Sequence, residues 1–596
     1  MCGIAGILRF NYHDEHLETQ IKRMQIALQH RGPDDTGIYI SSDQQAALAH
    51  TRLSILDLSS AGHQPMSTSD GRYSITFNGE IYNFQQLRQN LISQGETFYS
   101  QTDTEVILKL YQRMGSDCVH HLRGMFAFAI WDDLEKTCFL ARDPLGIKPL
   151  YYWQSGRTLV FASELRAILA SGLPKVDLNI DGLYGYLVTG SVPEPYTLIA
   201  DIHCLAAGNW LYWQGGNASK KQYWQINFTP SDISPVEAQE IVQNALLDSI
   251  KNHFISDVPV GIFLSGGIDS TTVLALATKT QTEQLHTYSI AFAESEWNEG
   301  EISQKIADHF GAKHTEYKAT LSFAKNLLPT FLGAIDQPSI DGFNTFCVSK
   351  IAHDSGMKVV LSGLGGDETF GGYQSFQKVP QMLKWSKQIQ KFPSFSKSLG
   401  MGLAQWGNVP KMKRLGDFLY QPPSINSAYR SFRGIFSHTE ACAIIQQWLG
   451  VSSNSNLPNF KNANFLTPED EVSFLELSCY MRNQLLRDSD VMSMNWGLEL
   501  RVPLVDKVLL ETVASIPSQI RLAQGKKLLI QSVHELPEWV INRPKQGFFF
   551  PFEEWMSGEF GYCFPNMKIP HNIPVKPWYR RWSLGILKYW WEQVSA

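Results

Sequence analysis

The spacing of apolar positions changes partway along the chain. Over 1–170, short alternating segments (CGIAGILRF, ALAHTRLSIL, YSITFNGEIY, GMFAFAIWD, TCFLARD, PLYYW, TLVFAS) are separated by Gly, Pro, Asn and Asp. That is the pattern of antiparallel strands in packed sheets. Two helices are predicted among them. In NFQQLRQNLISQG, Phe84, Leu87 and Leu91 share a face and Gly95 ends the run; in TDTEVILKLYQRMG, Thr102 and Glu105 stand in capping-box register and Gly115 is the stop. Residues 205–235 are polar and irregular and read as a connection. Beyond them VPVGIFLSGGIDS passes from an apolar strand through a glycine turn into the helical STTVLALATK. The strand HTYSIAFA, the helix EISQKIADHFG and the buried strand MKVVLSGLGGDE follow. Strands alternating with helices predict a parallel sheet covered on both faces. From about 374 the pattern is mostly helical, with no internal repeat and no low-complexity tract. The expected fold is therefore an α+β layered sandwich followed by an α/β domain with a helical C-terminal part.

Length and charge narrow the function. A chain of 596 residues exceeds one hydrophobic core, and two large units are expected. With 51 Lys and Arg against 57 Asp and Glu, the net charge of −6 gives no basic field for nucleic acid or anionic membrane. The start MCGIAG has neither a charged leader nor an apolar stretch behind it, and no run of 18 apolar residues follows, so a soluble, cytoplasmic protein is expected. Cys118, Cys138, Cys204, Cys347, Cys442, Cys479 and Cys563 are scattered without a CxxC pair. They read as buried small hydrophobes rather than a disulfide framework or zinc site. Cys2 differs, because removal of Met1 would leave it with a free α-amine beside its thiol.

Ser265-Gly-Gly-Ile-Asp-Ser270 carries the strongest chemistry. Two glycines between a strand and a helix let the backbone approach an anion, toward which the helix N-terminal amides point, and Ser265 and Ser270 add hydroxyl donors. No GK[ST] follows, so this is not a Walker loop. Taken alone it could be a tight turn. A second loop, Ser362-Gly-Leu-Gly-Gly-Asp-Glu368, ends another strand of the same unit, so the two loops are expected to share a crevice at the carboxyl ends of the strands. Asp269 and Asp367 would there offer hard oxygens to a Mg²⁺ held by nucleotide phosphates.

MCGIAG, HRGPD at 30–34, RLSI at 52–55, NGEIYN at 78–83, SGGIDS, SGLGGDE with FGGY, and ELRVPLVD at 499–506 occur in that order. The chain thereby resembles the glutamine-hydrolysing asparagine synthetases. The resemblance implies an N-terminal-nucleophile glutaminase domain at 2–217 and an adenylating ATP-pyrophosphatase domain at 236–596. It casts Cys2 as nucleophile, with its own α-amine as base, and Asn78 with Gly79 as the oxyanion pair. Arg52, Leu53, Ser54, Ile55, Leu56, Glu80 and Asp103 complete the glutamine pocket, Arg52 on the α-carboxylate and Asp103 on the α-ammonium. Leu264, Ser265, Gly266, Gly267, Asp269, Ser270, Ile290, Ser362 and Gly363 would hold ATP. Lys526 would neutralise charge on its α-phosphate, with Lys527 as the alternative one position on. Glutamine, ATP with Mg²⁺, and aspartate are the implied small-molecule partners, without nucleic acid or membrane, and a homodimer is one possible assembly.

Two positions depart from the family pattern. Where well-studied members carry SGEGSDE, position 364 is Leu, which cannot exchange a proton. Where they carry a TTIRAS-like segment with an arginine for aspartate, this chain has Asp336-Gln-Pro-Ser-Ile-Asp-Gly-Phe-Asn-Thr345, and whether Asp341 and Asn344 with a different base restore aspartate binding is left open by the sequence. The acceptor is therefore aspartate or another carboxylate, such as one on a sugar or peptide precursor. A non-catalytic glutamine or nucleotide sensor is the reading from another class, and the joint presence of Cys2, Arg52, Asn78, Asp103 and SGGIDS weighs against it.

Overall fold

The computed structural model describes residues 2–10, 16–292, 299–406, 409–452, 457, 465–544, 552–558, 561 and 567–596; Met1 and Cys563 lie outside them. The first half contains strands β1 (Gly3–Arg9), β2 (Asp35–Ile40), β3 (Ala46–Arg52), β4 (Met66–Ser67), β5 (Tyr73–Ile81), β6 (Gly124–Asp132), β7 (Thr137–Arg142), β8 (Tyr151–Ser155), β9 (Thr158–Ala162), β10 (Ile202–Cys204), β11 (Asn209–Gln214) and β12 (Asn217–Gln222). They form two antiparallel six-stranded sheets, ordered β10-β8-β9-β1-β3-β2 and β12-β11-β7-β6-β5-β4. The inward faces meet in a core containing Ile4, Leu48, Trp131, Leu140, Phe161 and Trp213. Helices Phe84–Ser93 and Asp103–Met114 cover the second sheet's outer face. Leu17–Ala27, Leu165–Ala170 and Ile180–Thr189 cover the first. The sandwich thus has more helices than the two predicted. Leu17, Ile21 and Met24 are buried on one face of the first of them, a stripe that charged neighbours dilute in LETQIKRMQIA.

The second half is built on β13 (Val260–Phe263), β14 (His286–Phe292), β15 (Lys313–Ala319), β16 (Val359–Leu361) and β17 (Glu499–Arg501). All pair in parallel, in the order β15-β14-β13-β16-β17. The chain first adds strands on one side of β13 and then on the other. The crevice between the ends of β13 and β16 is consequently the switch point at which open α/β sheets bind ligands. Most of the chain after 374 is helical, as expected. Among the described residues no helix is long and apolar enough to cross a membrane.

The halves share one continuous core, in which Ile7, Leu187, Phe343, Met492 and Trp582 belong to the same cluster. Polar contacts lock them further. Arg123 reaches Asp506 at 2.9 and 3.0 Å, Lys358 reaches Asp34 at 2.7 Å, and the Asp336 carboxylate accepts from the Leu165 and Arg166 amides at 2.8 and 2.9 Å. Of the scattered cysteines, Cys118, Cys138, Cys204 and Cys347 are buried as expected, while Cys442 and Cys479 are only half-buried.

Candidate active site

Cys2 stands at the mouth of β1, next to β3. Its backbone N–H donates to Asn78 Oδ1 at 3.0 Å, which ties the start of one sheet to β5 of the other. That bond fixes the amide orientation of Asn78, and its Nδ2 is buried without a hydrogen-bond partner among the described residues. A buried donor left unpaired is costly, and here it stands beside the thiol-bearing residue. A side chain at Gly79, where φ is +154°, would meet the Met125 carbonyl at 2.1 Å, so the strand is pressed flat at this point. Burial raises the Cys2 thiol above its ordinary range, and the Leu53 amide and Arg52 guanidinium pull it back.

One pocket is lined by Cys2, Arg52, Leu53, Ile55, Leu56, Gly79, Glu80 and Asp103. Ser54 is adjacent but turned away, its amide donating to Asp34 at 2.7 Å. The Arg52 guanidinium is wrapped by the carbonyls of Ser59, Leu56 and Asp57 at 3.0, 3.1 and 2.5 Å. That leaves part of its five-donor fork for a carboxylate. Gly62 makes room for it, since a Cβ there would lie 1.9 Å from Arg52 Nη2. Opposite, the Asp103 carboxylate accepts from the Ile81 amide at 2.9 Å, and burial pushes its pKa up to about 7. The pocket therefore offers a cation at one side and an acid at the other, the complement of an α-amino acid zwitterion. The expected capping box is only half formed. Thr102 accepts from the Glu105 amide at 3.3 Å, but the Glu105 carboxylate takes the Tyr99 and Ser100 amides instead of the Thr102 amide.

At the switch point, Ser265 in the loop and Ser270 in the first turn of helix Ile268–Thr280 bond each other, Oγ to Oγ at 3.2 Å. The second loop packs directly on the first. A Cβ on Gly363 would lie 2.7 Å from the Ser270 amide, and one on Gly366 would lie 2.4 Å from Asp269 Cγ. Lys526 crosses from the far side, in left-handed backbone at φ 58°. Its Nζ bonds both Asp269 oxygens at 2.7 Å and Asp367 at 2.6 Å. Burial opposes its charge, but Asp269 and Asp367 hold the ammonium above its ordinary range. Lys527 is exposed, so of the two lysines only Lys526 reaches the crevice. Leu264, just past β13, and Ile290, within β14, are buried, and the Leu264 amide is committed to the Tyr288 carbonyl at 2.9 Å. Ser362 and Gly363 follow β16 directly, with the Ser362 amide on the Arg501 carbonyl at 2.9 Å.

Among the described residues no group of three or more His, Cys, Asp or Glu is placed to hold a metal. Asp269 and Asp367 nevertheless converge on one cation, the Lys526 ammonium. Two carboxylates completed by phosphate oxygens are a fit for Mg²⁺.

Several residues at the sites carry no local sequence signal for their role. Arg31, fully buried, donates to the Cys2 carbonyl at 3.0 Å, to Glu164 at 2.8 Å and to Asp490 at 2.8 Å. Arg501 bonds Glu499 at 2.5 Å and lies 3.4 Å from Glu80. Its side chain thus meets a wall of the first pocket while its carbonyl holds Ser362 in the crevice. Glu368, buried beside Asp367 and bonded by the Tyr373 hydroxyl at 2.9 Å, is pushed up to about 7 by burial and the Asp367 charge. HRGPD and ELRVPLVD marked Arg31, Glu499 and Arg501 as motif members, but their partners lie up to 459 residues away.

Residues 1–224 match the glutamine amidotransferase domain family and residues 242–567 the asparagine synthase family. Asparagine synthetase [glutamine-hydrolyzing] 1 of Bacillus subtilis is 32% identical over 95% of this chain and 90% of its own. Asparagine synthetase [glutamine-hydrolyzing] 3 of the same organism is 29% identical over 91% and 86%, and amidase chry2 of Gibberella zeae is 26% identical over 94% and 90%. With the asparagine synthase match covering more than half of its length, the chain belongs to the asparagine synthase family and carries a glutamine amidotransferase domain at its N-terminal end.

Proposed function

We propose that the protein hydrolyses glutamine at Cys2 and passes the ammonia to an acyl-adenylate formed from ATP and a carboxylate. With aspartate as acceptor, the products are asparagine, glutamate, AMP and pyrophosphate. After loss of Met1, the Cys2 α-amine takes the thiol proton and the sulfur attacks the glutamine carboxamide. Asn78 Nδ2 and the Gly79 amide hold the developing oxyanion, a thioester forms as ammonia leaves, and water releases glutamate. Arg52 and Asp103 grip the two ends of the zwitterion. The observation that carries this reading is the unpaired, buried Asn78 Nδ2 beside Cys2, in a pocket with opposite charges across it.

In the crevice, Ser265, Ser270 and the amides of helix Ile268–Thr280 bind the departing pyrophosphate. Lys526 offsets charge on the α-phosphate. Asp269 and Asp367 would hold a Mg²⁺, whose charge would screen the phosphate oxygens. The two sites share Arg501 and a continuous core, which supports transfer of ammonia inside the protein, where it stays unprotonated.

A second reading changes only the acceptor. Leu364 offers no proton-transfer group, and Asp336 is spent on the Leu165 and Arg166 amides rather than facing a ligand. Incubation with ATP, amide-labelled glutamine and a panel of carboxylates, followed by mass analysis, separates the two. Labelled asparagine supports aspartate as acceptor. Pyrophosphate release with another acid and none with aspartate overturns it.

A further inference from the structure

A cavity of about 490 Å³ lies between the two domains. None of the residues assigned above to glutamine, ATP or Mg²⁺ lines it. The first domain supplies residues between Val188 and Pro195 and between Ala206 and Ile226; the second supplies helix Ile425–Arg433 and the helical segment Glu476–Leu486. Its volume falls in the range of small-molecule sites.

The charge of its wall is unbalanced. Arg430, Arg433 and Arg482 face Glu194 as the one lining carboxylate among the described residues. Glu194 is already taken by Arg142 at 2.7 Å, and Arg433 is taken by Glu476 at 2.7 Å. Among the described residues the Arg430 guanidinium makes no hydrogen bond or ion pair. Arg482 donates from Nε to the Leu145 carbonyl at 3.2 Å and among the described residues forms no ion pair, Glu194 acting on it from beyond ion-pair distance. Burial pulls both below the ordinary arginine range. Both side chains are half-buried; a guanidinium partly withdrawn from water without a close counter-charge is destabilised, and its planar fork matches a carboxylate or phosphate. Asn426, Gln225 and Gln484 place amides around the same space, as hydrogen-bond partners for a polar body.

A chain of side-chain contacts links the cavity wall to the crevice. Arg433 lies over the rings of Tyr373 and Tyr480, 4.3 and 4.0 Å from their centroids. The Tyr373 hydroxyl reaches Glu368, the neighbour of Asp367.

We propose that this interdomain cavity is a binding site for a small organic anion, a carboxylate or phosphate on a hydrogen-bonding body, held by Arg430 and Arg482. The anion supplies the missing counter-charge. It is either the distal group of a large acceptor or a separate effector.

Trp224 lines the cavity and serves as reporter. The full chain is titrated with citrate, glucuronate and inorganic phosphate, without ATP or glutamine, and tryptophan emission is followed. A saturable change with at least one anion is expected, absent in Trp224→Phe. Arg430→Gln weakens it at least tenfold, whereas Arg430→Lys keeps most of it, and glutaminase activity stays unchanged in both. If the bound anion then stimulates ATP-dependent pyrophosphate release, it is an acceptor; if it binds without doing so, it is an effector; both results uphold the site. No saturable change with any of the three anions, or a change that Arg430→Gln leaves intact, overturns it. Because ATP is left out, the outcome is independent of whether the adenylating reaction proceeds as proposed.

Discussion

Asp490 is the residue on which the joint between the two domains turns. One of its oxygens pairs with Arg31 at 2.8 Å and the other lies 3.5 Å from Lys148 Nζ. The side chains of Arg31 and Lys148 are 0% exposed and that of Asp490 2%. Asp490→Ala leaves Arg31 with Glu164 as its one carboxylate, beside the Cys2 carbonyl, and Lys148 with no ion-pair partner, among the described residues. Breaking a buried pair on one side costs about 3–5 kcal/mol, more than the pair contributes, because an uncompensated charge stays behind. Asp490→Asn keeps an acceptor for Arg31 and is expected to cost about 1–3 kcal/mol. The loss is read from the first transition in urea, since a chain of two domains need not unfold in one step. It has a pH signature. Burial already holds Lys148 below its ordinary range, with Asp490 the foremost opposing pull. In the alanine variant its folded pKa falls further, the unfolded chain binds more protons, and stability rises with pH toward the free-lysine value of about 10.4. Since Arg31 Nε also holds the Cys2 carbonyl, glutaminase kcat should fall alongside. An Asp490→Ala protein within about 0.5 kcal/mol of the parent, the ordinary range of surface changes, would refute the reasoning.

Two further outcomes follow from the sites. Asp103 must be ionised to hold an ammonium, so the KM for glutamine should climb as pH falls below about 7, and Asp103→Asn should abolish that slope. In the empty protein the sign for stability is opposite: the contribution of Asp103 is fully present below the unfolded carboxyl value of about 4 and is lost as pH rises through about 7. Lys526→Met should lower ATP-dependent synthesis by about 10²–10³-fold and leave glutaminase activity intact, whereas Lys527→Met, altering an exposed side chain, should change neither. Equal losses in the two variants, measured by pyrophosphate release, would count against Lys526 as the α-phosphate ligand.

The strands of the sandwich were legible because alternation and burial agree: GMFAFAIWD is β6 over its whole length. Strand β15, KHTEYKA, carries no strand pattern in the sequence, since it pairs with β14 at the sheet edge and most of its side chains stay partly or fully exposed. Strand β17 was hidden for a different reason. Its buried residues include Glu499 and Arg501, which pair with each other, and a charged pair reads as surface until its partner is known. The loops Ser265–Ser270 and Ser362–Glu368 could be placed in one crevice because a parallel sheet dictates where its strand ends meet. The cavity at Arg430 and Arg482 could not, because it is made from segments that meet only when the two domains pack.

The central claim is that one chain holds an ammonia-producing site and an ammonia-consuming site that work in series. Cys2→Ala tests it most directly, with glutamine-dependent and ammonium-dependent pyrophosphate release measured side by side on the same preparation. In this variant the glutamine-dependent reaction is expected to vanish while the ammonium-dependent one persists near the parent level. Equal loss of both, or survival of the glutamine-dependent reaction, would contradict it.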